Sequence, residues 1–144
     1  MPQRLGDHIS PSALAYLDGY HVDVVNAVRE AVETHTVVVV GMAHNPHVYR
    51  VRNALKKANV PVHYMGYGSY FSQWRPRLAI KLWSGWPTFP QVFVNGRLLG
   101  GDKRTRDALK SGQFQEYLNE TQPVDKTSIL KGTFSATVGS CDIE

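Results

Sequence analysis

The stretch that decides the fold of this chain is Trp86-Pro87-Thr88-Phe89-Pro90-Gln91-Val92-Phe93-Val94-Asn95-Gly96, followed by Gly100-Gly101. Two prolines make its first half rigid, because each ring fixes φ and removes a backbone donor. Residues 92–94 are β-branched or aromatic, which is typical of a strand. The Asn-Gly pair tolerates the positive φ of a type I′ turn, so residues 91–99 predict a β-hairpin.

Helices and strands alternate in the chain that precedes this hairpin. The apolar spacing predicts, in order, a helix over 22–34, a strand over 36–40, a helix starting at 45, a strand over 60–65 and a helix over about 75–83. Asn45-Pro46 is a favourable helix start, with an N-cap residue before a first-turn proline. Two helical turns, 102–109 and 114–118, follow the hairpin. This order predicts an α/β protein with a mixed sheet and helices on both faces.

The 144 residues suit one domain with two extensions. We expect an N-terminal extension over 1–20, irregular apart from a short helical turn starting at Ser10-Pro11. The domain then occupies 21–121, and a polar, extended tail occupies 122–144. The first residues lack the apolar core of a secretory signal, and the longest clear apolar run, 37–40, is far too short to cross a membrane.

The block over 86–101 resembles the glutaredoxin family, and within it the monothiol branch, in which WPT-x-PQ-x-[FY]-V-x-G precedes Gly-Gly. The resemblance covers roughly residues 22–120. It implies a thioredoxin-like fold with a mixed four-stranded sheet. It also implies that the proline matching Pro90 follows a cis peptide bond and lies beside the active site.

The reactive motif of that family, C-P-Y-C, would fall on Asn45-Pro46-His47-Val48. Disulfide exchange requires a thiolate, which an asparagine amide cannot replace. We therefore expect a degenerate motif without a catalytic residue. The single cysteine, Cys141, lies far away in the tail, and it excludes an internal disulfide.

The sequence also departs from the family at positions that the resemblance implies contact glutathione. Met42 stands where the family usually carries a lysine. Lys103 matches the family's aspartate unless the loop shifts by one residue, which would restore Asp102. A residual glutathione-type shelf persists, made of Thr88, Phe89, Pro90, Gly100, Gly101 and Asp102. Since those residues also maintain the fold, we expect neither bound glutathione nor an iron–sulfur cluster.

Two histidines flank Asn45, and we expect both to lie in a solvated loop and helix start. His44 and His47 lie three residues apart, but no third ligand is evident, so we expect no metal site. The sequence also shows no nucleophile or carboxylate near His47 that would support acid–base chemistry.

Charge is distributed unevenly, because residues 34–101 contain no Asp or Glu. A domain built from them should present a basic face, used either for solubility or for docking on an anionic partner. Aromatic residues lie among these cations and could pack in the core, form a protein interface or stack on single-stranded nucleic acid. The candidate partner-binding residues are Arg50, Arg52, Lys56, Lys57, Trp74, Arg75, Arg77 and Lys81.

These features predict a redox-inactive, glutaredoxin-like docking module, an accessory subunit of a larger protein or ribonucleoprotein assembly. One alternative is a glutathione-dependent oxidoreductase or iron–sulfur carrier, and another is an RNA-binding subunit. The lack of disulfides fits a reducing intracellular compartment, either cytoplasm, mitochondrial matrix or plastid.

Overall fold

The computed structural model describes residues 8–120. Its helices and strands are α1 Pro11–Gly19, α2 Val22–Thr34, β1 Val37–Gly41, α3 Pro46–Lys57, β2 His63–Gly66, α4 Trp74–Ser84, β3 Gln91–Val94, β4 Arg97–Gly100, α5 Asp102–Ser111 and α6 Gln113–Asn119. The mixed sheet with helices on both faces is confirmed, and the strand order is β2-β1-β3-β4. β1 pairs with β2 in parallel and with β3 in antiparallel orientation.

The central strand β1 explains why its sequence shows no polar alternation. All five of its residues are buried, because helices cover both faces of the sheet. Successive side chains point to opposite faces, so Val38 and Val40 pack with α2 and α4, around Ile80. Val37 and Val39 pack on the other face with α3, α5 and α6, around Leu55.

The hairpin forms where the Asn-Gly pair predicts it. Asn95 and Gly96 have φ values of 51° and 81°, and β3 pairs with β4 in antiparallel orientation. The Asn95 amide also donates to the carbonyls of Tyr117 and Leu118, at 2.7 and 3.1 Å, and so ties the turn to the end of α6. The turn therefore positions the last helix as well as the two strands.

The rigid segment before β3 has the implied geometry. The Phe89–Pro90 peptide bond is cis. The fully buried Gln91 side chain donates to the Trp86 carbonyl at 3.0 Å and closes the turn between them. The cis turn is thus held against the start of a central strand.

Two elements differ from the sequence-based expectation. The stretch expected to be largely irregular contains α1, which begins as predicted after Ser10, whose hydroxyl accepts from the Ala13 amide at 3.2 Å, but runs on to Gly19. β2 begins only at His63, since the Val60 amide donates to the Leu55 carbonyl of α3 at 3.0 Å and Pro61 has no amide to donate. The predicted tail and Cys141 lie outside the described residues. Within residues 8–120, no helix is long and apolar enough to cross a membrane.

Candidate functional site

The first turn of α3 is closed by the side chain of Asn45. Its Oδ1 accepts hydrogen bonds from the backbone amides of His47 and Val48, at 2.8 and 3.3 Å. Pro46 follows at the first helical position, as the sequence predicts. A helix N-terminus carries unpaired amides and a partial positive charge, which makes it a good environment for an anion. Here a neutral amide oxygen of the same chain already fills that environment.

A buried carboxylate lies beside this helix start. Asp102 Oδ2 accepts from Arg50 Nη1 at 2.9 Å and lies 3.0 Å from His47 Nδ1. Arg106, one turn further along α5, donates through Nε to Oδ1 at 2.7 Å. Two guanidinium groups and an imidazole therefore surround one carboxylate, which fixes α5 against the N-terminal part of α3.

The surroundings of Asp102 shift its acidity strongly. Burial alone would raise the pKa of this carboxyl group, but hydrogen bonds from Arg106, His47 and Arg50 outweigh the burial and lower the pKa to about 2. Asp102 is therefore ionised throughout the physiological range and already paired within the chain.

This cluster corrects one expectation from the sequence and shows which of Asp102 and Lys103 faces α3. The expectation that no carboxylate lies near His47 is wrong, because Asp102 lies beside it in the fold. The two residues are 55 positions apart in the sequence, so no local sequence pattern indicates the contact. At the position after Gly-Gly, the side chain that faces α3 is Asp102. Lys103 instead forms an exposed ion pair with Asp107 at 2.8 Å.

Three of the six shelf residues line a cleft of about 460 Å³, whereas Phe89, Pro90 and Gly100 do not. Trp86, Thr88, Gly101 and Asp102 contribute to its lining. Gly101 packs closely under the cis turn, since a side-chain carbon added there would lie 3.4 Å from the Pro90 carbonyl oxygen. The carboxylate of Asp102 at the edge of this cleft is engaged by Arg50, Arg106 and His47.

The candidate partner-binding cations have different environments. Arg77 is only 7% exposed, and its Nη1 donates to the carbonyls of Tyr67 and Ser72, at 2.8 and 2.6 Å. It is therefore a structural residue and not the surface cation that the sequence suggests. Lys81 is half-buried over the Phe89 ring.

The remaining candidates are exposed on two elements. Four candidates lie on α3, namely Arg50, Arg52, Lys56 and Lys57. Arg50 is paired with Asp102, and the Arg52 guanidinium stacks 3.8 Å from the centre of the Tyr64 ring. Trp74 and Arg75 begin α4 and stack on each other, at 4.4 Å. A basic and aromatic surface is thus present, but it is split between α3 and the start of α4.

The aromatic residues divide between core and surface. Trp83 packs against Phe93 in the core, as one of the alternatives predicts. Tyr70, Phe71 and Trp74 are exposed, and Phe71 is 97% exposed. Within residues 8–120, no group of three His, Cys, Asp or Glu side chains is placed to hold a metal ion.

The fold of the described residues is the thioredoxin-like fold found in glutaredoxins. A mixed four-stranded sheet, a cis-proline turn and a Gly-Gly pair that leads into a helix are the features that the sequence resemblance implies. Comparison with solved structures agrees with this fold. Oxidised glutaredoxin 2 from Chlamydomonas reinhardtii superimposes with a TM-score of 0.58 at 24% identity, over 67% of this chain and 92% of that one. Reduced poplar apo GrxS14 gives 0.54 at 28% identity, over 65% and 87%.

Sequence comparison identifies the family. The chain is 50% identical over 97 residues to a "Glutaredoxin-like protein" of Dictyostelium discoideum, covering 67% of this chain and 79% of that protein. It is 36% identical over 67 residues to "Monothiol glutaredoxin-S11" of Oryza sativa subsp. japonica, covering 46% of this chain and 13% of that protein. A scan against protein-family models finds no match. The chain belongs to the glutaredoxin family.

Proposed function

We propose that this chain is a redox-inactive member of the glutaredoxin family that acts as a structural docking module, an accessory subunit of a larger assembly. The observation that carries the proposal is the cap formed by Asn45. Its amide oxygen accepts hydrogen bonds from the amides of His47 and Val48, at the position that the resemblance assigns to the family's nucleophile. The helix start is retained, while the group that would carry out exchange is replaced.

The chemical argument concerns how a thiol becomes reactive. A cysteine at a helix N-terminus is activated because the amides and the helix dipole stabilise its thiolate. Asn45 uses the same amides to stabilise the helix itself. Its side-chain amide is not nucleophilic enough to attack a disulfide sulfur. The residue type therefore supports a structural role for this site.

The environment of the shelf supports the absence of glutathione. Asp102 already accepts hydrogen bonds from Arg50 and Arg106, so an α-amino group would have to compete with two guanidinium groups. Met42, at the position of the family's lysine, is buried and uncharged. We propose that the chain holds neither glutathione nor an iron–sulfur cluster, because Asn45 offers no thiolate ligand.

A disulfide-exchange assay tests the proposal. Purified protein is mixed with reduced glutathione, glutathione reductase, NADPH and a low-molecular-weight mixed disulfide, and NADPH oxidation is followed. We expect wild type, Asn45→Ser and Cys141→Ser to match the protein-free rate. Asn45→Cys shows how far this scaffold supports exchange once a thiol is present.

A wild-type rate above background that Cys141→Ser abolishes would contradict the proposal, since it would identify a working thiol. Isothermal titration with reduced glutathione supplies the second readout. No heat of binding at millimolar glutathione is expected for the wild type, and saturable binding would contradict the shelf argument.

A further inference from the structure

A groove of about 800 Å³ lies beside the degenerate motif, on the side of α3 that faces β2. It is separate from the shelf, because the two cavities share no lining residue. One end is formed by residues 42–45, directly before α3. From there the groove runs along α3 to Lys56 and to residues 59–60, just beyond the C-terminal end of the helix.

One wall of the groove is a single stripe of α3. Val48, Arg52 and Lys56 are each four residues apart, and Tyr49 and Asn53 follow the first two of them, so these five residues lie on one side of the helix. The helix has 12 residues and so is about 18 Å long. An extended peptide of about five residues has the same length.

The opposite wall is formed by residues 59–62, which precede β2, and by Tyr64 of β2. β2 is an edge strand, and among the described strands only β1 pairs with it. Such an edge leaves every second backbone N–H and C=O group available to another strand. The four residues of β2 include neither lysine nor proline, the residues that commonly protect an edge against pairing.

The charges along the groove have one sign. Its lining includes Arg52 and Lys56 but no Asp or Glu. Both walls come from residues 34–101, the part of the sequence that contains no Asp or Glu. Arg50, on another face of the same helix, is paired with Asp102 and adds nothing to the groove.

We propose that this groove binds an extended acidic segment of a partner protein, which adds to β2 as a further strand and places its carboxylates against Arg52 and Lys56. The inference rests on the proposed docking function and names its surface. Backbone pairing with the edge would supply affinity, and the two cations would select acidic side chains. Val60, Val62 and Tyr64 make the wall opposite α3 apolar, so the stems of those side chains can pack on it.

The spacing of the cations defines the sequence that fits. Arg52 and Lys56 are four residues apart on a helix, a rise of about 6 Å. Side chains two residues apart on one face of a strand are separated by about 6.6 Å. A segment with glutamates at alternate positions therefore matches both cations, whereas adjacent glutamates point to opposite faces.

The test uses a fluorescein-labelled hexapeptide of alternating threonine and glutamate, titrated with the full chain at low salt. Lys56→Glu places a negative charge in the groove, and Lys57→Glu makes the same change on the neighbouring residue, which does not line it. We expect Lys56→Glu to weaken binding by about tenfold and Lys57→Glu by less than about twofold. Circular dichroism verifies that both variants, altered at exposed positions, remain folded.

Two further peptides test the mode of binding. A hexapeptide of the same composition with its glutamates in one block should bind more weakly, because the alternation is lost. A version with an N-methylated backbone should also bind more weakly, because it cannot pair with the edge. In hydrogen exchange, the alternating peptide should protect the amides of 63–66.

The proposal would be overturned by no saturable binding at millimolar peptide, by equal effects of the two charge reversals, or by equal binding of the N-methylated peptide. A single-stranded uridine oligonucleotide that binds more tightly than the peptide, and loses that binding in Lys56→Glu, would also overturn it in favour of nucleic acid. None of these outcomes measures exchange activity, so a failure here is distinguishable from a failure of the proposed function.

Discussion

Asn45 holds the first turn of α3 through one amide oxygen, and its contribution can be measured directly. Asn45→Ala removes the acceptor for the amides of His47 and Val48. We expect a loss of about 1 kcal/mol in the free energy of unfolding. Asn45→Ser keeps an acceptor at the N-cap and should remain within a few tenths of wild type. Urea denaturation of the three proteins measures this, and an alanine variant as stable as wild type would show that the cap is unimportant.

Asp102 makes the stability of the fold depend on pH in a defined window. Folding lowers its pKa from 3.8 to about 2, so the folded state favours the ionised form. The contribution is about 2 kcal/mol, is fully present above about pH 5, and is lost as the pH falls towards 2. Asp102→Asn should therefore be less stable than wild type at pH 6, and the difference should shrink between pH 4 and 2.

Urea denaturation at several pH values measures this difference, and Asp107→Asn is the matched control. Asp107 is an exposed carboxylate on the same helix, and it forms an ion pair with Lys103. A difference between wild type and Asp102→Asn that stays constant down to pH 2 would contradict the assigned ion cluster.

At the scale of elements, the loop between β2 and α4 depends on the buried guanidinium of Arg77. Arg77→Met leaves the carbonyls of Tyr67 and Ser72 without this donor. We expect a loss of about 2 kcal/mol in the free energy of unfolding and faster hydrogen exchange over 67–73. Arg75→Met, an exposed change two residues earlier, should alter stability by less than about 0.5 kcal/mol. Equal effects of the two changes would contradict the structural role of Arg77.

Elements with local signals could be predicted from the sequence, and those that depend on distant contacts could not. Asn45-Pro46 and Asn95-Gly96 encode a helix start and a turn within two residues each, and both are found where predicted. The burial of Arg77 has no such signal, because it is set by the carbonyls of a loop that folds back on α4. The contact of His47 with Asp102 exists only once α3 and α5 pack on the same face.

At the scale of the whole molecule, the basic composition overstates the free positive surface. Arg50 and Arg106 surround Asp102, and Arg77 is bonded to carbonyls. Strong binding of RNA requires many cations that contact phosphates, which also makes the affinity fall steeply with salt. We therefore expect any affinity for single-stranded RNA to be lost by about 150 mM salt. A fluorescence-anisotropy titration across salt concentrations measures this, and tight binding that persists at that salt would favour the RNA-binding alternative.

We propose that this chain uses the glutaredoxin fold to dock in a larger assembly and not to carry out disulfide exchange. The most direct measurement is gentle affinity purification of the tagged full chain from its native source, followed by size-exclusion chromatography and quantitative mass spectrometry. We expect the chain to co-elute with other subunits in fixed stoichiometry within a large complex, with the same profile for Cys141→Ser. Elution of the chain as a monomer of about 16 kDa, without stoichiometric partners, would contradict the proposal.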